Sequence, residues 1–186
     1  MIKYHENVPL MVIDVQKAFD NSSWGKRNNP NAERNIEKII EYWNVNQRLV
    51  IYVKHLSNKK ESLFYSKSAT SEFKEIINPK PKDIIITKSV NSAFIGTNLE
   101  EILRKNNSTN IVITGLTTNH CVESTTRMAG NLGFNPVLVS DATATFDRKS
   151  INGETLPAEK IHEMSLANMN EEFAIIKNTE EILAMF

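Results

Sequence analysis

The chain has a single cysteine, Cys121, so no disulfide can form within it. Glycine and proline number only six each, which excludes collagen-like and low-complexity chains. Its 22 Lys and Arg balance 22 Asp and Glu, and this zero net charge argues against a nucleic-acid-binding or membrane-surface protein. Long apolar runs are also missing: Leu10–Ile13 is followed by Asp14, far short of the roughly 20 residues that span a bilayer. We therefore expect neither a nucleic-acid partner nor a membrane partner.

The remaining composition is that of an ordinary globular protein, with 40% hydrophobic and 24% charged residues. A chain of 186 residues predicts one domain, residues 1–186, because no repeat or linker divides the sequence. Residues 1–7 lack the basic and apolar regions of a secretory signal, so we expect a cytoplasmic protein.

Short apolar runs rich in β-branched residues recur along the chain at strand length. They are continuous rather than alternating, which favours strands covered on both faces, as in a parallel sheet. The predicted strands are 10–13, 49–53, 83–86, 111–113, 136–139 and 173–176.

The segments between these runs show helical spacing of apolar residues and have capping residues at their ends. The predicted helices are 31–42, 97–104, 119–132, 157–170 and 179–185. Alternating strands and helices predict an α/β fold, a Rossmann-like three-layer α/β/α sandwich with a six-stranded, mostly parallel sheet. Two long polar stretches, 20–29 and 58–81, are predicted loops of the kind that often border a binding site.

Three chemically useful residues stand at predicted strand ends, where ligands bind in open α/β sheets. Asp14 interrupts an apolar strand, Lys88 follows another, and Cys121 begins a helix shortly after a third. Backbone N–H groups at a helix start stabilise a thiolate and an oxyanion, which supports attack of Cys121 on a carbonyl carbon. Taken singly, each residue also has a purely structural interpretation: a buried filler cysteine, an aspartate bonded to a loop, and a solvated lysine.

These residues lie within a series of ordered motifs: VIDVQ at 12–16, KSVNSAFIGT at 88–97, ITG at 113–115, CVEST at 121–125, RMA at 127–129, DATATF at 141–146 and EFA at 172–174. Over nearly its whole length the chain therefore resembles the isochorismatase-like cysteine hydrolases, which include nicotinamidases and carbamoylsarcosine amidases. The resemblance implies a catalytic triad of Asp14, Lys88 and Cys121. It also implies a cis peptide bond between Leu116 and Thr117, and an oxyanion hole formed by the amides of Thr117 and Cys121.

The same resemblance implies hydrolysis of a small-molecule amide or a related C–N bond through a thioester, with no cofactor. Metal-dependent nicotinamidases of the family use an Asp-x-His segment, whereas the matching segment here is Lys-His-Leu-Ser at 54–57, so we expect no metal. His55 is instead a candidate substrate contact, and the other candidates are Gln16, Phe19, Asn91 and Phe94, with Trp24 as a further candidate pocket wall.

Two alternatives stay open: a non-catalytic binding or scaffold protein on the same fold, and an isochorismatase-type vinyl ether hydrolase, although enzymes of that type generally lack the cysteine. His120 is expected to be structural or interfacial because adjacent helix residues point about 100° apart. Asp141 is expected to be a structural hydrogen-bonding residue. Family members are commonly dimers or tetramers, so we expect a homodimer or homotetramer, with Met128, Met164 and Met169 as candidates for its interface or for the core.

Overall fold

A computed structural model describes residues 8–81 and 83–186, so the expectation about a secretory signal at residues 1–7 lies outside the described residues. Its strands, in chain order, are β1 (Leu10–Ile13), β2 (Val50–His55), β3 (Ile84–Lys88), β4 (Asn110–Leu116), β5 (Asn135–Ala144), β6 (Arg148–Lys149), β7 (Thr155–Leu156) and β8 (Ile175–Lys177). Strands β6 and β7 pair with each other as a short antiparallel hairpin. The other six form one sheet in the order β3-β2-β1-β4-β5-β8, in which all described pairings are parallel.

Helices cover both faces of this sheet. They are α1 (Ala32–Val45), α2 (Leu99–Lys105), α3 (Glu123–Asn131), α4 (Ala158–Met169) and α5 (Thr179–Met185). Residues of α1 and α5 pack in one apolar cluster, and residues of α2, α3 and the end of α4 pack in a second. The predicted three-layer α/β/α sandwich is confirmed.

The run at β1 shows why the predicted strands are continuous rather than alternating. Leu10 and Val12 belong to the apolar cluster on the α1 side, whereas Met11 and Ile13 belong to the cluster on the other face. All four side chains are fully buried. Burial of one such side chain stabilises the fold by roughly 1.5–3 kcal/mol. Covering both faces of the strand is therefore favourable, as in parallel sheets with helices on each side.

Each predicted strand and helix has an observed counterpart, most with shifted ends, β5 extends to Ala144, and the β6–β7 hairpin is not among the predicted strands. One further difference matters for the site. The predicted helix 119–132 begins instead with a wide π turn, Thr118–Val122, and regular α-helix starts only at Glu123. Backbone N–H groups of both His120 and Val122 donate to the Thr117 carbonyl, which widens this first turn.

Strand order reverses between β1 and β4, and this point is where ligands bind in doubly wound sheets. Gly115 of β4 lies opposite Ile13 of β1 with φ +123°, and a Cβ there would collide with the Ile13 carbonyl oxygen. Only glycine permits this close approach of the two strand ends.

Of the methionines considered for an interface, Met169 is fully buried and Met128 packs against the core, so both belong to the interior. Met164 is 62% exposed. Among the described residues, no helix is long and apolar enough to cross a membrane.

Candidate active site

The three candidate catalytic residues meet at the carboxyl edge of the sheet. Asp14 follows β1 in the left-handed region, with φ 51°, and its backbone N–H donates to the Val53 carbonyl of β2. Lys88 ends β3, and its Nζ lies 2.6 Å from Asp14 Oδ2, with both side chains buried. The Cys121 Sγ lies beside them, because Asp14, His55 and Cys121 each place one polar atom within 4.8 Å of the others.

Both Asp14 oxygens are removed from solvent. Oδ2 accepts from Lys88, whereas Oδ1 is buried without a hydrogen-bond partner in the described part of the chain. A buried carboxylate oxygen with no such partner costs free energy, and it is a ready acceptor for a proton from a neighbouring thiol.

Burial controls the charge states of the cluster. It raises the pKa of the Cys121 thiol to about 12, and the Asp14 charge acts in the same direction while Lys88 opposes it. Burial likewise raises the pKa of Asp14, against the opposing effect of Lys88. Cys121 is therefore a neutral thiol at rest, whereas its position at a helix start alone predicts a stabilised thiolate.

His55 ends β2, between the strands that carry Asp14 and Lys88. Its Nδ1 lies 3.1 Å from Lys88 Nζ. The side-chain amide of Gln16 holds the His55 backbone on both sides, accepting from its N–H at 2.8 Å and donating to its carbonyl at 2.9 Å. Gln16 also donates to the Ser71 carbonyl and is fully buried, so it positions His55 and does not line the pocket.

A cavity of about 260 Å³ opens above the thiol. This volume lies below the roughly 300–1,000 Å³ of pockets for drug-sized ligands, so the cavity suits a small substrate. Its lining residues are Asp14, Phe19, Trp24, His55, Phe64, Asn91, Thr117, His120 and Cys121.

Three aromatic rings form one wall of the cavity. The ring centroid of Phe19 lies 5.1 Å from that of Trp24 and 5.2 Å from that of Phe64. The Trp24 indole N–H donates to the Ala18 carbonyl, which fixes its orientation. Phe64 is held by two backbone hydrogen bonds that close the loop around it, from Ser57 N to the Phe64 carbonyl and from Ser66 N to the Ser57 carbonyl.

The candidate substrate contacts from the sequence differ in where they lie in the structure. Phe19, Asn91 and His55 line the cavity as expected. Phe94, in contrast, is a core residue, 9% exposed and stacked on Phe134 at 5.9 Å between centroids, so its expected place in the pocket was wrong.

His120, expected to be structural or interfacial, lies in the cavity wall because the first turn of the helix is wide. Its Nδ1 lies 3.2 Å from Thr117 Oγ1. Phe64 was missed altogether. The only signal for it was an aromatic residue within a loop already expected to border a site. Asp141 has the expected structural role, since its carboxylate accepts from the N–H and hydroxyl of Thr179. The Leu116–Thr117 peptide bond is cis.

A metal ion fits this cluster poorly. Asp14, His55 and Cys121 each place one ligand atom within 4.8 Å of the others. However, the Lys88 ammonium lies 2.6 Å from the Asp14 carboxylate and 3.1 Å from His55 Nδ1. It already satisfies two of the three donors, and its charge repels a second cation. No step is therefore assigned to a metal.

Fold and site together define a class, namely three-layer α/β/α proteins with a buried Asp-Lys-Cys cluster at the carboxyl edge of a parallel sheet. Residues 9–181 match the model of the isochorismatase domain. The chain is 51% identical over 181 residues to the isochorismatase family protein YrdC of Bacillus subtilis, covering 97% of each chain. A crystal structure of an isochorismatase-family protein from Chromobacterium violaceum has a TM-score of 0.95 and 38% identity, covering 97% of this chain and 94% of the other.

The chain belongs to the isochorismatase family, and this membership supports a hydrolase. A shorter match joins it to the ureidoacrylate amidohydrolase RutB of Agrobacterium fabrum, at 40% identity over 67 residues, which are 36% of this chain and 29% of that protein.

Proposed function

We propose that the chain hydrolyses a small amide or a related C–N bond through a thioester on Cys121. The observation that carries this proposal is the meeting of a buried thiol, a carboxylate and an ammonium on one side of a small cavity. The partial match to an amidohydrolase supports a C–N bond as the target.

In the first half of the proposed reaction, Asp14 takes the proton of Cys121 as Sγ attacks the substrate carbonyl carbon. A new S–C bond forms, and the carbonyl π pair moves to oxygen, where the amides of Thr117 and Cys121 stabilise the negative charge. When the tetrahedral intermediate collapses, the C–N bond breaks and Asp14 returns the proton to the departing nitrogen.

In the second half, water attacks the thioester and gives a proton to Asp14. The C–S bond then breaks, the sulfur regains its proton from Asp14, and a carboxylic acid leaves. Lys88 remains charged throughout, because it holds Asp14 in place and offsets the negative charge on carboxylate or sulfur.

A panel of small primary amides and ureido acids tests the proposal, with release of ammonia or amine as the measurement. Turnover by the wild-type chain and its loss in Cys121→Ala are expected. A second measurement is intact mass after rapid quenching, which should show an acyl adduct on the only cysteine.

Turnover that survives in Cys121→Ala would contradict the thioester route and favour a vinyl ether type of mechanism without a nucleophile. A complete lack of turnover across the panel, with the fold intact, would favour a binding protein.

A further inference from the structure

We propose that His55 presents a fixed hydrogen-bond donor to the substrate and selects carbonyl compounds that carry a hydrogen-bond acceptor two or three bonds from the reacting carbon. This inference rests on the proposed function in one respect, because it places the reacting carbon on Cys121 Sγ.

Lys88 fixes the tautomer of His55. Its Nζ contacts Asp14 Oδ2 at 2.6 Å and His55 Nδ1 at 3.1 Å. An ammonium group has three protons and no lone pair, so it can only donate. Nδ1 must therefore accept, and the proton of the neutral ring lies on Nε2.

The ring also stays neutral at ordinary pH. Burial and the adjacent Lys88 charge lower the pKa of His55 to about 4. At pH 7 His55 consequently has one acceptor nitrogen, which Lys88 covers, and one donor nitrogen, Nε2, which has no hydrogen-bond partner among the described residues.

The direction of this donor is fixed from two sides. Gln16 clamps the backbone of His55 with two hydrogen bonds and is itself anchored to the Ser71 carbonyl. The ring of His55 packs against Phe64 in an edge-to-face contact, with 5.2 Å between centroids. Because neither the backbone nor the ring is free to turn, the donor is preorganised.

The distance between the His55 ring and Cys121 Sγ determines where in the substrate the hydrogen-bond acceptor must lie. His55 lines the cavity, and one of the two nitrogens of its ring lies within 4.8 Å of Cys121 Sγ, so the Nε2 donor lies no further from Sγ than that distance plus the separation of two nitrogens in one imidazole ring. An atom two or three bonds from a carbon attached to Sγ therefore falls within hydrogen-bond reach of the ring. Acceptors at this distance include an aromatic nitrogen, a second carbonyl or a carboxylate. Sites that hydrogen-bond a substrate group discriminate strongly against analogues that lack it.

A pair of reversible probes tests this selection without any known substrate. Pyridine-3-carboxaldehyde and benzaldehyde have the same shape, but only the pyridine carries a ring acceptor three bonds from the aldehyde carbon. Each adds the Cys121 S–H across its C=O, so that S–C and O–H bonds form and the C=O π bond is lost. The measurement is the aldehyde concentration that halves the rate of Cys121 alkylation by iodoacetamide.

The wild-type protein is expected to prefer the pyridine aldehyde, and His55→Leu should reduce that preference roughly 3- to 10-fold, the range of a neutral hydrogen bond. The electronic difference between the aldehydes cancels when the two proteins are compared. His55→Asn should retain part of the preference, since its amide can accept from Lys88 and donate to the ligand. An unchanged preference in His55→Leu, or no protection of the wild-type thiol by either aldehyde, would overturn the inference.

The tautomer is tested separately by NMR of protein with ¹⁵N-labelled histidine, where the His55 signal is assigned from its absence in His55→Asn. A neutral ring protonated at Nε2 is expected at pH 7, and Lys88→Met should release the ring to the other tautomer or to a higher pKa. A proton on Nδ1 in the wild-type protein would overturn the inference. These readouts need no turnover, so they stand or fall independently of amide hydrolysis.

Discussion

The Lys88 ammonium and the Asp14 carboxylate form a buried ion pair across β2, with 2.6 Å between Nζ and Oδ2 and side-chain exposures of 0% and 1%. Neither group reaches water, so each depends on the other for its charge. The contribution of the pair to stability and its effect on Cys121 can therefore be measured in separate experiments.

Removal of one partner should cost more stability than removal of both. Lys88→Met leaves the Asp14 carboxyl buried without its counter-ion, so that it must either stay charged at a high cost or take up a proton, and we expect a loss of about 3–5 kcal/mol in the free energy of unfolding. Adding Asp14→Asn to this variant should restore part of the loss, because no uncompensated charge remains. Urea denaturation measures both values, and a double variant less stable than Lys88→Met would contradict the account.

Alkylation of the single cysteine distinguishes two roles of Asp14. If Asp14 accepts the thiol proton, Asp14→Asn should slow the reaction of Cys121 with iodoacetamide by at least about tenfold, the lower range of general-base effects. If Asp14 acts only through its charge, the same change removes a group that raises the pKa of Cys121, and the reaction should become faster. Intact mass against time supplies the rate, and the proposed function predicts the slower reaction.

Phe64 and Phe94 offer a matched pair of substitutions. Phe64 lines the cavity, so Phe64→Leu should raise KM roughly tenfold for an amide that the protein turns over, with little change in Tm. Phe94 packs in the core, so Phe94→Ala should lower stability by about 3 kcal/mol or more and leave KM nearly unchanged. A KM effect of equal size in both variants would contradict the assignment of these two rings.

Acid stability should depend on Glu33. Burial opposes its ionisation, but hydrogen bonds from Arg27 and Lys74 lower the pKa of Glu33 to about 2, well below its usual 4.5. Because the folded value is depressed, the stability contributed by this group is present above pH 4.5 and is lost as pH falls towards 2.

Glu33→Gln should therefore cost roughly 2 kcal/mol at neutral pH and reduce the change in stability between pH 5 and pH 3. Glu101→Gln is the control, because Glu101 is exposed on α2 and, among the described residues, forms its ion pair with Lys105 one turn away. Thermal or urea unfolding at several pH values gives the measurement, and equal acid sensitivity in the wild type and Glu33→Gln would count against this network.

The strands and their place in a parallel sheet are predictable from the sequence wherever neighbouring residues alone determine the structure. A run such as β1 is apolar on both faces, so its strand character and its place in a parallel sheet follow from residues 10–13 alone. The meeting of Asp14, Lys88 and Cys121 at one edge of the sheet is predictable for the same reason, since polar residues at the ends of buried strands are conspicuous in the sequence.

The position of a side chain is not predictable from the sequence where it depends on residues distant in the chain. Asn91 and Phe94 lie three residues apart and were treated alike, yet the Ala93 N–H donates to Thr125 Oγ1, and the chain turns Phe94 into the core. Phe64 reaches the cavity through hydrogen bonds between the backbones of Ser57 and residues on either side of Tyr65. No periodic pattern records such contacts, so single-sequence reasoning had no means of finding them.

The residues around the cavity come from two parts of the fold, the strand ends and the connecting segments, and this affects how the substrate preference could be changed. Asp14, Lys88 and Cys121 stand on or beside strand ends buried in the sandwich, whereas Trp24 ends a short 3-10 helix and Phe64 belongs to a loop, both in connections outside the sheet. Exchanging the segment 57–66 for one of equal length would change the mouth of the cavity and leave Asp14, Lys88 and Cys121 in place. The choice of substrate can therefore be altered in these connections while the groups at the strand ends stay in place.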